Sequence, residues 1–499
     1  MNTVVDRGLS SGQKTYAPAP LIEALRRILP AHCVLAREED TRPYECDGLP
    51  LYRRLPAAVV LPENEAQVCE VLKLCKRMNV PLVPRGAGTG LSGGALPHGR
   101  GVLIGLSKLN RIKRVDREAC VAVVEPGVRN LAISEAAEPY GLYYAPDPSS
   151  QIACSIGGNV AENAGGVHCL KYGLTVHNVL RVRMVTIEGE VVELGSEAPD
   201  APGPDLLSVF VGSEGMLGIV TEVTVKLVPK PVCAQVVMAS FPSVEAAGKA
   251  VTQVIAEGII PAGLEMMDRP SVHMVEPFVK AGYDLDAQAI LLCESDGTPE
   301  EVAHEIGRIE AVFREAGATR CQVSGSEAER LRFWAGRKNA FPAAGRVSPD
   351  YYCMDGTIPR RHLAQVLTAI EQMEDEYGLR CANVFHAGDG NLHPLILFDS
   401  NKPEEIERAD KFGAAILELC VQVGGTVTGE HGVGMEKINQ MCVQFTRDEL
   451  DTFTAVKRAF DPPMLLNPEK VIPTLARCAE YGKMHVHGGE MMFPDLSRF

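Results

Sequence analysis

Residues 85–94 read Arg-Gly-Ala-Gly-Thr-Gly-Leu-Ser-Gly-Gly, with five glycines in ten positions. Glycine has no Cβ atom and tolerates positive φ angles, so such a run lets backbone N–H groups curl closely around an anion. A glycine-rich hairpin turn without a ligand is the alternative, but a turn rarely needs so many glycines. We therefore expect this loop to hold the pyrophosphate of a nucleotide cofactor.

The sequence after the loop argues against a nicotinamide-binding Rossmann unit. Gly88 to Gly93 match the spacing G-x-G-x-x-G, which in that fold opens a helix at the phosphates. Here residues 95–101 read Ala-Leu-Pro-His-Gly-Arg-Gly, which disfavours a helix, and residues 102–106 are typical of a strand. The pattern predicts a strand, a loop and a second strand.

Two further stretches before residue 220 are rich in glycine and asparagine. One runs from Ala145-Pro146-Asp147-Pro148-Ser149 through Gly157-Gly158-Asn159 to Asn163-Ala164-Gly165-Gly166. The other, at 212–220, reads Gly-Ser-Glu-Gly-Met-Leu-Gly-Ile-Val. Simple connections do not need so many of these residues. Three such loops favour one long cofactor, and FAD suits them better than a mononucleotide.

Size and charge limit the class of protein. A chain of 499 residues is long enough for two to three domains. Its net charge of −15 argues against nucleic acid as a partner, because binding of phosphates needs a basic face. Residues 1–20 lack the apolar core of a signal peptide, and no run of apolar residues is long enough to cross a membrane. We expect a cytoplasmic protein without a transmembrane segment.

The cysteines argue against a bound metal cluster. The fifteen cysteines contain no C-x-x-C pair, which fits reduced thiols and excludes the common spacings for iron–sulfur clusters and structural zinc. If this protein transfers electrons through an iron–sulfur relay, the relay lies on another chain.

Lys230-Pro231 is the expected domain boundary. We predict an N-terminal helical segment at 1–52, an FAD-binding domain at 53–231, and a substrate or cap domain at 232–499 whose C-terminal segment returns to the FAD domain. Between residues 235 and 323, strands and helices alternate in a ferredoxin-like order with one extra helix. This order predicts an α+β fold in which helices cover one side of an antiparallel sheet, placed as a lid over the flavin ring.

Histidines and a glutamate form the main chemical motif. Residues 383–398 read as two strands around an Asp389-Gly390 turn, which places His386 and His393 at facing strand ends, close enough to share a metal ion. Farther along, Glu430 and His431 lie in a turn flanked by glycines. Two histidines and a carboxylate suit Zn²⁺, Mn²⁺ or Fe²⁺, and the remaining histidine can act as a base.

Less specific interpretations stay open for these side chains. Each histidine, taken alone, could simply be solvated or hydrogen-bonded in its turn. His485 and His487 lie in a polar tail, where we expect no catalytic role. Arg337 follows closely after the only tryptophan. It is either a solvated residue at a helix end or a bidentate anchor for a substrate carboxylate.

Together these motifs resemble the FAD-linked oxidases of the vanillyl-alcohol oxidase type, over nearly the whole chain. Among these, the likeness is greatest to flavin subunits of glycolate oxidases, with cytochrome-linked D-lactate dehydrogenases and D-2-hydroxyglutarate dehydrogenases as near relatives. The likeness is carried by the three glycine-rich stretches and by His-x-Gly-Asp-Gly-Asn-x-His at 386–393, Gly-Glu-His-Gly at 429–432 and Ser-Pro-Asp-Tyr-Tyr-Cys-Met-Asp at 348–355. It implies an FAD-binding domain of the PCMH type with a cap domain.

The resemblance also implies roles for single residues. His386, His393 and Glu430 would bind a divalent metal, His431 would be the catalytic base, and Arg337 would hold the substrate carboxylate. FAD would be bound without a covalent link, since no histidine lies within residues 85–94. The implied FAD-binding residues are Arg85, Gly86, Ala87, Gly88, Thr89, Gly90, Ser92, Pro146, Asp147, Ser149, Gly157, Gly158, Asn163, Gly166, Ile219 and Asn467.

Three positions depart from the hydroxyglutarate-type relatives. Those relatives hold the distal carboxylate with a threonine and a lysine, where this chain has Phe341 and Cys353. They also carry an asparagine two residues after the second histidine, where this chain has Leu395. Neither Phe341 nor Cys353 can pair with an anion, so a small monocarboxylate is favoured.

The resemblance thus implies oxidation of glycolate, or of D-lactate, to the 2-oxo acid, with transfer of the hydride to flavin N5. Electrons would pass to iron–sulfur and second flavin subunits rather than to NAD, with peripheral association at the inner face of the cell membrane through those partners. Three alternatives stay open: a flavin subunit that only relays electrons, a D-2-hydroxyglutarate-type dehydrogenase, and a metallohydrolase whose glycine loops are structural.

Overall fold

The computed structural model describes residues 19–198 and 203–473 of the chain and shows an α+β fold, as expected. The strands are β1 (Val34–Leu35), β2 (Ala58–Val60), β3 (Leu82–Arg85), β4 (Val102–Gly105), β5 (Ile112–Asp116), β6 (Val121–Val124), β7 (Leu142–Tyr143), β8 (Val179–Val185), β9 (Val191–Gly195), β10 (Ile219–Lys226), β11 (Val228–Pro229), β12 (Cys233–Phe241), β13 (Gly263–Asp268), β14 (Ala289–Gly297), β15 (Arg320–Val323), β16 (Asp350–Cys353), β17 (Arg380–His386) and β18 (Asn391–Phe398). The α-helices are α1 (Ala19–Ile28), α2 (Glu38–Thr41), α3 (Glu65–Met78), α4 (Asn130–Ala137), α5 (Ile156–Glu162), α6 (Cys169–Tyr172), α7 (Thr175–Asn178), α8 (Leu206–Phe210), α9 (Val244–Ala256), α10 (Arg269–Val279), α11 (Pro299–Glu315), α12 (Glu327–Lys338), α13 (Ala340–Val347), α14 (Leu363–Tyr377), α15 (Pro403–Gln422), α16 (Met441–Gln444) and α17 (Arg447–Phe460).

The first glycine-rich loop connects two neighbouring parallel strands. β3 ends at Arg85, β4 begins at Val102, and the two strands pair in parallel. The predicted order of strand, loop and strand is therefore confirmed, and residues 86–101 form no helix. These strands belong to a four-stranded sheet with the order β1-β2-β4-β3.

The rest of the first half is a five-stranded antiparallel sheet with the order β5-β6-β10-β8-β9. The chain after α17 returns to the first sheet, where the backbone N–H of Asn467 donates to the carbonyl of Leu82 at 2.7 Å. The end of the described chain thus packs beside the strand that enters the glycine loop.

The second half is built on a seven-stranded antiparallel sheet with the order β15-β12-β14-β13-β17-β18-β16. Its first four strands have the ferredoxin-like order expected from the sequence. Three strands not included in that prediction, β17, β18 and β16, extend the sheet and bring the histidine hairpin onto it.

The prediction that helices cover only one side of this sheet is wrong. Val237 and Phe241 of β12 belong to a core cluster on one face that includes residues of α9, α11, α14 and α15. Val236 and Met238 of the same strand belong to a second cluster, on the other face, that includes residues of α10, α12 and α13. The prediction rested on residues 235–323, so it left out α12 and α13 and gave no place on the sheet to α10, the extra helix of that pattern.

None of the helices in the described ranges is both long and apolar enough to span a bilayer. His485 and His487 lie outside the described residues.

Candidate functional site

A cavity of about 520 Å³ lies where the three glycine-rich stretches meet the second half of the chain. Its lining includes the loop 85–91 and most of residues 148–158. From the second half of the chain it includes Phe341, Tyr351, His393, Glu430 and His431, here called the histidine end. A concave site lined by both glycines and ionisable groups suits a nucleotide cofactor whose reactive part faces the histidines.

Most of the residues expected to bind FAD line this cavity. These are Arg85, Gly86, Ala87, Gly88, Thr89, Gly90, Ser149, Gly157, Gly158 and Ile219. Six others lie outside its lining: Ser92, Pro146, Asp147, Asn163, Gly166 and Asn467.

Three of these six residues form hydrogen bonds or close contacts with the segments that line the cavity or lie next to it. The Asn467 amide donates to the carbonyls of Gly94 and Glu214, joining the first and third glycine-rich stretches. The Asn163 side chain accepts a hydrogen bond from the backbone of Val176. Asp147 forms a 2.7 Å contact with the His168 ring.

Two glycines of the loop are required by the backbone itself. Gly88 has a φ of +75°, which favours glycine, and a Cβ atom there would overlap the folded-back guanidinium of Arg85. A Cβ atom on Gly86 would overlap the Ser155 hydroxyl. The loop is therefore packed tightly against its own arginine and against the residue that precedes α5.

The two histidines of the hairpin are diagonal neighbours. His386 pairs with Asn391, and His393 pairs with Val384, so the prediction that the two histidines face each other directly is wrong by two residue pairs. Their rings are 5.1 Å apart between centroids, because residues two apart on each strand share a face. Glu430 Oε1 lies 3.4 Å from His386 Nε2 and 3.2 Å from His393 Nε2.

This triad fits a divalent cation. Ligand atoms in a tetrahedral site with bonds of about 2.0–2.1 Å are about 3.3 Å apart, close to the separations measured here. His393 is buried; its Nε2 contacts only the carboxylates of Glu430 and Asp355, at 3.2 and 3.6 Å, and its Nδ1 has no partner. Burial disfavours a charged His386 ring, but Glu265 and Glu430 outweigh that effect and hold its pKa well above the ordinary value. The same negative charges would favour a metal ion.

A buried carboxylate shapes the turn that carries Glu430 and His431. Asp355 accepts hydrogen bonds from the backbone N–H groups of Gly429, Glu430 and His431. The fully buried Lys437 ammonium lies 3.1 Å from the same carboxylate. The turn is thus fixed by charge and by backbone hydrogen bonds rather than by apolar packing.

His431 stacks on His393, with ring centroids 5.0 Å apart and planes within 4° of each other. Burial lowers the pKa of His431 to about 4, against the opposing charge of Asp355. Its ring is therefore neutral at neutral pH, which leaves a nitrogen free to accept a proton. The histidine lines the cavity directly beside Glu430.

Arg337 is not a solvated residue at a helix end, because its side chain is 2% exposed. Its Nε donates to Glu265 Oε2 at 2.6 Å, and Glu265 Oε1 lies 2.7 Å from His386 Nδ1. Its Nη2 is buried and has no partner. One edge of the guanidinium holds Glu265, which in turn contacts the histidine, and the other edge keeps one donor without a partner. Arg337 itself lies behind the residues that line the cavity.

Sequence reasoning missed Glu265, Asp355 and Lys437. Glu265 is a charged residue between the apolar Leu264 and Met266 of β13, which is a usable signal, since such a residue is rarely buried without a partner. Asp355 is the last residue of the motif at 348–355, but the backbone N–H groups that it binds, from Gly429 onward, are more than seventy residues away in the sequence. Lys437 lies neither in an apolar strand nor in one of the motifs described above, so the sequence did not indicate its role.

The three departures from the hydroxyglutarate-type pattern occupy different places. Phe341 lines the cavity at the histidine end. Cys353 and Leu395 are paired across β16 and β18 and are buried in the apolar core. Neither of these two residues lines the cavity, so among the three positions only Phe341 borders it.

The sequence matches two described families, "FAD binding domain" over residues 56–195 and "FAD linked oxidases, C-terminal domain" over residues 230–471. It is 61% identical over 479 residues to the glycolate oxidase subunit GlcD of Escherichia coli (strain K12), with 96% of each chain covered. The Bacillus subtilis (strain 168) protein of that name is 39% identical, over 87% of this chain and 93% of the relative. A D-lactate dehydrogenase from Anaerostipes hadrus is 33% identical, over 93% and 99% respectively.

Solved structures share the fold at low sequence identity. Substrate-bound p-cresol methylhydroxylase has a TM-score of 0.76 at 19% identity and covers 95% of this chain and 99% of its own. The 4-ethylphenol oxidase of Gulosibacter chungangensis in complex with isoeugenol has a TM-score of 0.76 at 18% identity, over 94% and 98%.

Proposed function

The chain belongs to the FAD-linked oxidases, and from this premise we propose that it oxidises a small 2-hydroxy monocarboxylate, glycolate or D-lactate, to the 2-oxo acid. The relatives named glycolate oxidase subunit and D-lactate dehydrogenase support this class of substrate. When bound, FAD supplies the hydride acceptor.

The observation that carries the proposal is the position of His431. This buried, neutral ring lines the cofactor cavity and stacks on His393 next to Glu430. In the proposed reaction it takes the proton from the substrate hydroxyl. Arg337 holds the carboxylate through the Nη2 donor that has no protein partner. Phe341 limits the room beyond the substrate carbon.

We further propose that His386, His393 and Glu430 hold a divalent cation, Zn²⁺, Mn²⁺ or Fe²⁺, which would polarise the substrate hydroxyl when bound. The spacing of the ligand atoms supports this assignment. Metal analysis of the purified protein, with His393→Ala for comparison, tests it. An equal metal content in the two proteins would contradict it.

The main test is the visible spectrum of the FAD-loaded protein under anaerobic conditions. Glycolate, D-lactate, L-lactate and D-2-hydroxyglutarate are added in turn. We expect glycolate or D-lactate to bleach the flavin absorbance. Bleaching by D-2-hydroxyglutarate alone would replace the proposed substrate. A flavin spectrum that none of them changes would favour a subunit that only relays electrons.

The relatives named as subunits support a multi-subunit setting. We propose that electrons leave this chain through iron–sulfur and second flavin subunits, in the cytoplasm and at the inner face of the cell membrane. Co-purification of the tagged chain from its own cells, followed by iron and flavin analysis, tests this proposal. Recovery of the chain alone, with full activity towards quinones, would contradict it.

A further inference from the structure

Glu162 occupies a position in the cavity to which the proposed reaction assigns no role. It is the last residue of α5 and lines the cavity. A Cβ atom on Gly94 would lie 2.7 Å from its Oε1, and a Cβ atom on Gly432 would overlap its Oε2. The carboxyl group therefore lies between the glycine loop and the turn that carries His431.

The surroundings of Glu162 are unsuited to a negative charge. Its Oε2 is sealed from solvent and has no hydrogen-bond partner. The nearby Glu214 carboxylate already accepts the N–H groups of Val433 and Gly434 at 2.6 and 2.8 Å. The nearest buried ammonium, that of Lys437, is paired with Asp355. An ionised Glu162 would be a buried charge without compensation, which is costly.

These contacts favour the protonated form of Glu162. Burial, together with the charges of Glu214 and Asp47, raises the pKa of Glu162 well above its ordinary value. A shared cation is not indicated, because Glu162 belongs to none of the metal-sized clusters found in the described ranges. A neutral carboxyl group that faces a cavity is a hydrogen-bond donor.

We propose that Glu162 is a neutral carboxylic acid that donates a hydrogen bond to the ring of the bound flavin and holds the ring against the His431 turn. The inference rests on FAD occupying this cavity, and it is independent of the identity of the substrate. A neutral donor also stabilises the negative charge that a flavin ring gains on reduction, whereas an ionised carboxylate would oppose it.

The test compares Glu162→Gln, which keeps a neutral donor of similar shape, with Glu162→Leu, which removes it. Glu125→Gln is the control, because Glu125 is a buried carboxyl outside the cavity lining; burial alone would raise its pKa, but Arg111 outweighs that effect and lowers the pKa. The dissociation constant of FAD is measured by fluorescence titration of the apoprotein, and the flavin midpoint potential is measured without substrate. We expect the Gln variant and the control to stay within about threefold of the wild-type constant. The Leu variant should bind about tenfold more weakly, which corresponds to one hydrogen bond, and should have a lower midpoint potential.

An infrared measurement keeps the inference testable if the Leu variant does not fold. The C=O stretching band of protonated carboxylic acids should lose intensity in Glu162→Gln and stay unchanged in Glu125→Gln. The inference is overturned if that band is unchanged in Glu162→Gln, if the Leu variant binds FAD as the wild type does, or if the Gln variant is as impaired as the Leu variant. Failure of the wild-type apoprotein to bind FAD would instead remove the premise about the cavity.

Discussion

Arg337 donates through Nε to Glu265 at 2.6 Å in a site closed to solvent. The second oxygen of that carboxylate contacts His386 Nδ1, so the contact that fixes the arginine also fixes the histidine ring. Second-layer carboxylates of this kind orient metal-binding histidines. The pair therefore couples the stability of the second half of the chain to the geometry of the proposed metal site.

Glu265→Gln should weaken both properties. Removing the charge leaves the Arg337 guanidinium buried without its carboxylate, and the free energy of unfolding should fall by about 3–5 kcal/mol. Metal affinity should fall about 10–100-fold. Denaturant unfolding of the metal-free protein and metal titration measure the two effects. Glu327→Gln is the control, because its exposed pair with Arg330 should contribute less than about 1 kcal/mol. Equal losses in the two variants would contradict the prediction.

His431→Ala should slow flavin reduction by the substrate about 10²–10⁴-fold while FAD stays bound, since general-base catalysis contributes on that scale. Stopped-flow absorbance under anaerobic conditions measures the rate. His273→Ala is the control, because that histidine is exposed and only contacts the carbonyl of Leu285. A reduction rate in His431→Ala equal to that of the control would exclude His431 as the base.

The residues near the glycine-rich loop were enough to predict the two strands that flank it. The strand β3, the helix-breaking residues after the loop and the strand β4 follow from residues near one another in the chain.

Contacts between distant residues could not be predicted in this way. Glu265 reaches His386 across 121 positions, and Asp355 reaches His431 across 76. The hairpin was predicted, but its register, which makes His386 and His393 diagonal, depends on turn geometry that the Asp-Gly pair does not determine. The helices on the second face of the seven-stranded sheet were missed because the prediction rested on residues 235–323. That stretch ends before α12 and α13, and the prediction assigned no face to α10.

Gly165→Ala should disturb the proposed metal site from the FAD side. A Cβ atom there would lie 2.5 Å from Glu430 Oε2, so the carboxylate must move. We expect weaker metal binding and slower flavin reduction with little change in FAD affinity. Gly307→Ala is the control, because its Cβ atom would meet nothing within 4 Å on a helix, and it should stabilise the fold by about 0.4–1 kcal/mol. An unchanged metal affinity in Gly165→Ala would contradict the prediction.

Phe341→Ala should shift substrate preference towards larger 2-hydroxy acids. Phe341 lines the histidine end of the cavity and contacts Tyr351, with ring centroids 5.7 Å apart. Removing the ring opens space, and each methylene that enters an apolar pocket contributes about 1–3 kcal/mol. The kcat/KM ratio of 2-hydroxybutyrate to glycolate should rise at least about tenfold. Leu331→Ala, at an exposed apolar residue of α12, is the control and should leave the ratio unchanged. If both variants keep the wild-type ratio, Phe341 does not limit substrate size.

His168 should make stability depend on alkaline pH, because it joins the two halves of the chain. Its ring lies 2.7 Å from Asp147, in the second glycine-rich stretch, and 3.5 Å from Glu294 on β14. Burial alone would lower the pKa of His168, but these two carboxylates outweigh it and raise the pKa to about 10. An unfolded histidine has a pKa of about 6.5.

The folded state therefore binds the proton more tightly, and the stabilisation is complete below about pH 6.5 and is lost as the pH rises towards 10. One such group gives a slope of at most about 1.4 kcal/mol per pH unit over that window. Urea unfolding at a series of pH values should show this decline in the wild type and in His273→Gln, whose histidine is exposed. In His168→Gln the fall in stability that comes from deprotonation of His168 should be absent, because glutamine does not titrate. If His168→Gln loses stability with pH as steeply as the wild type, the ring is not held in its charged form between Asp147 and Glu294.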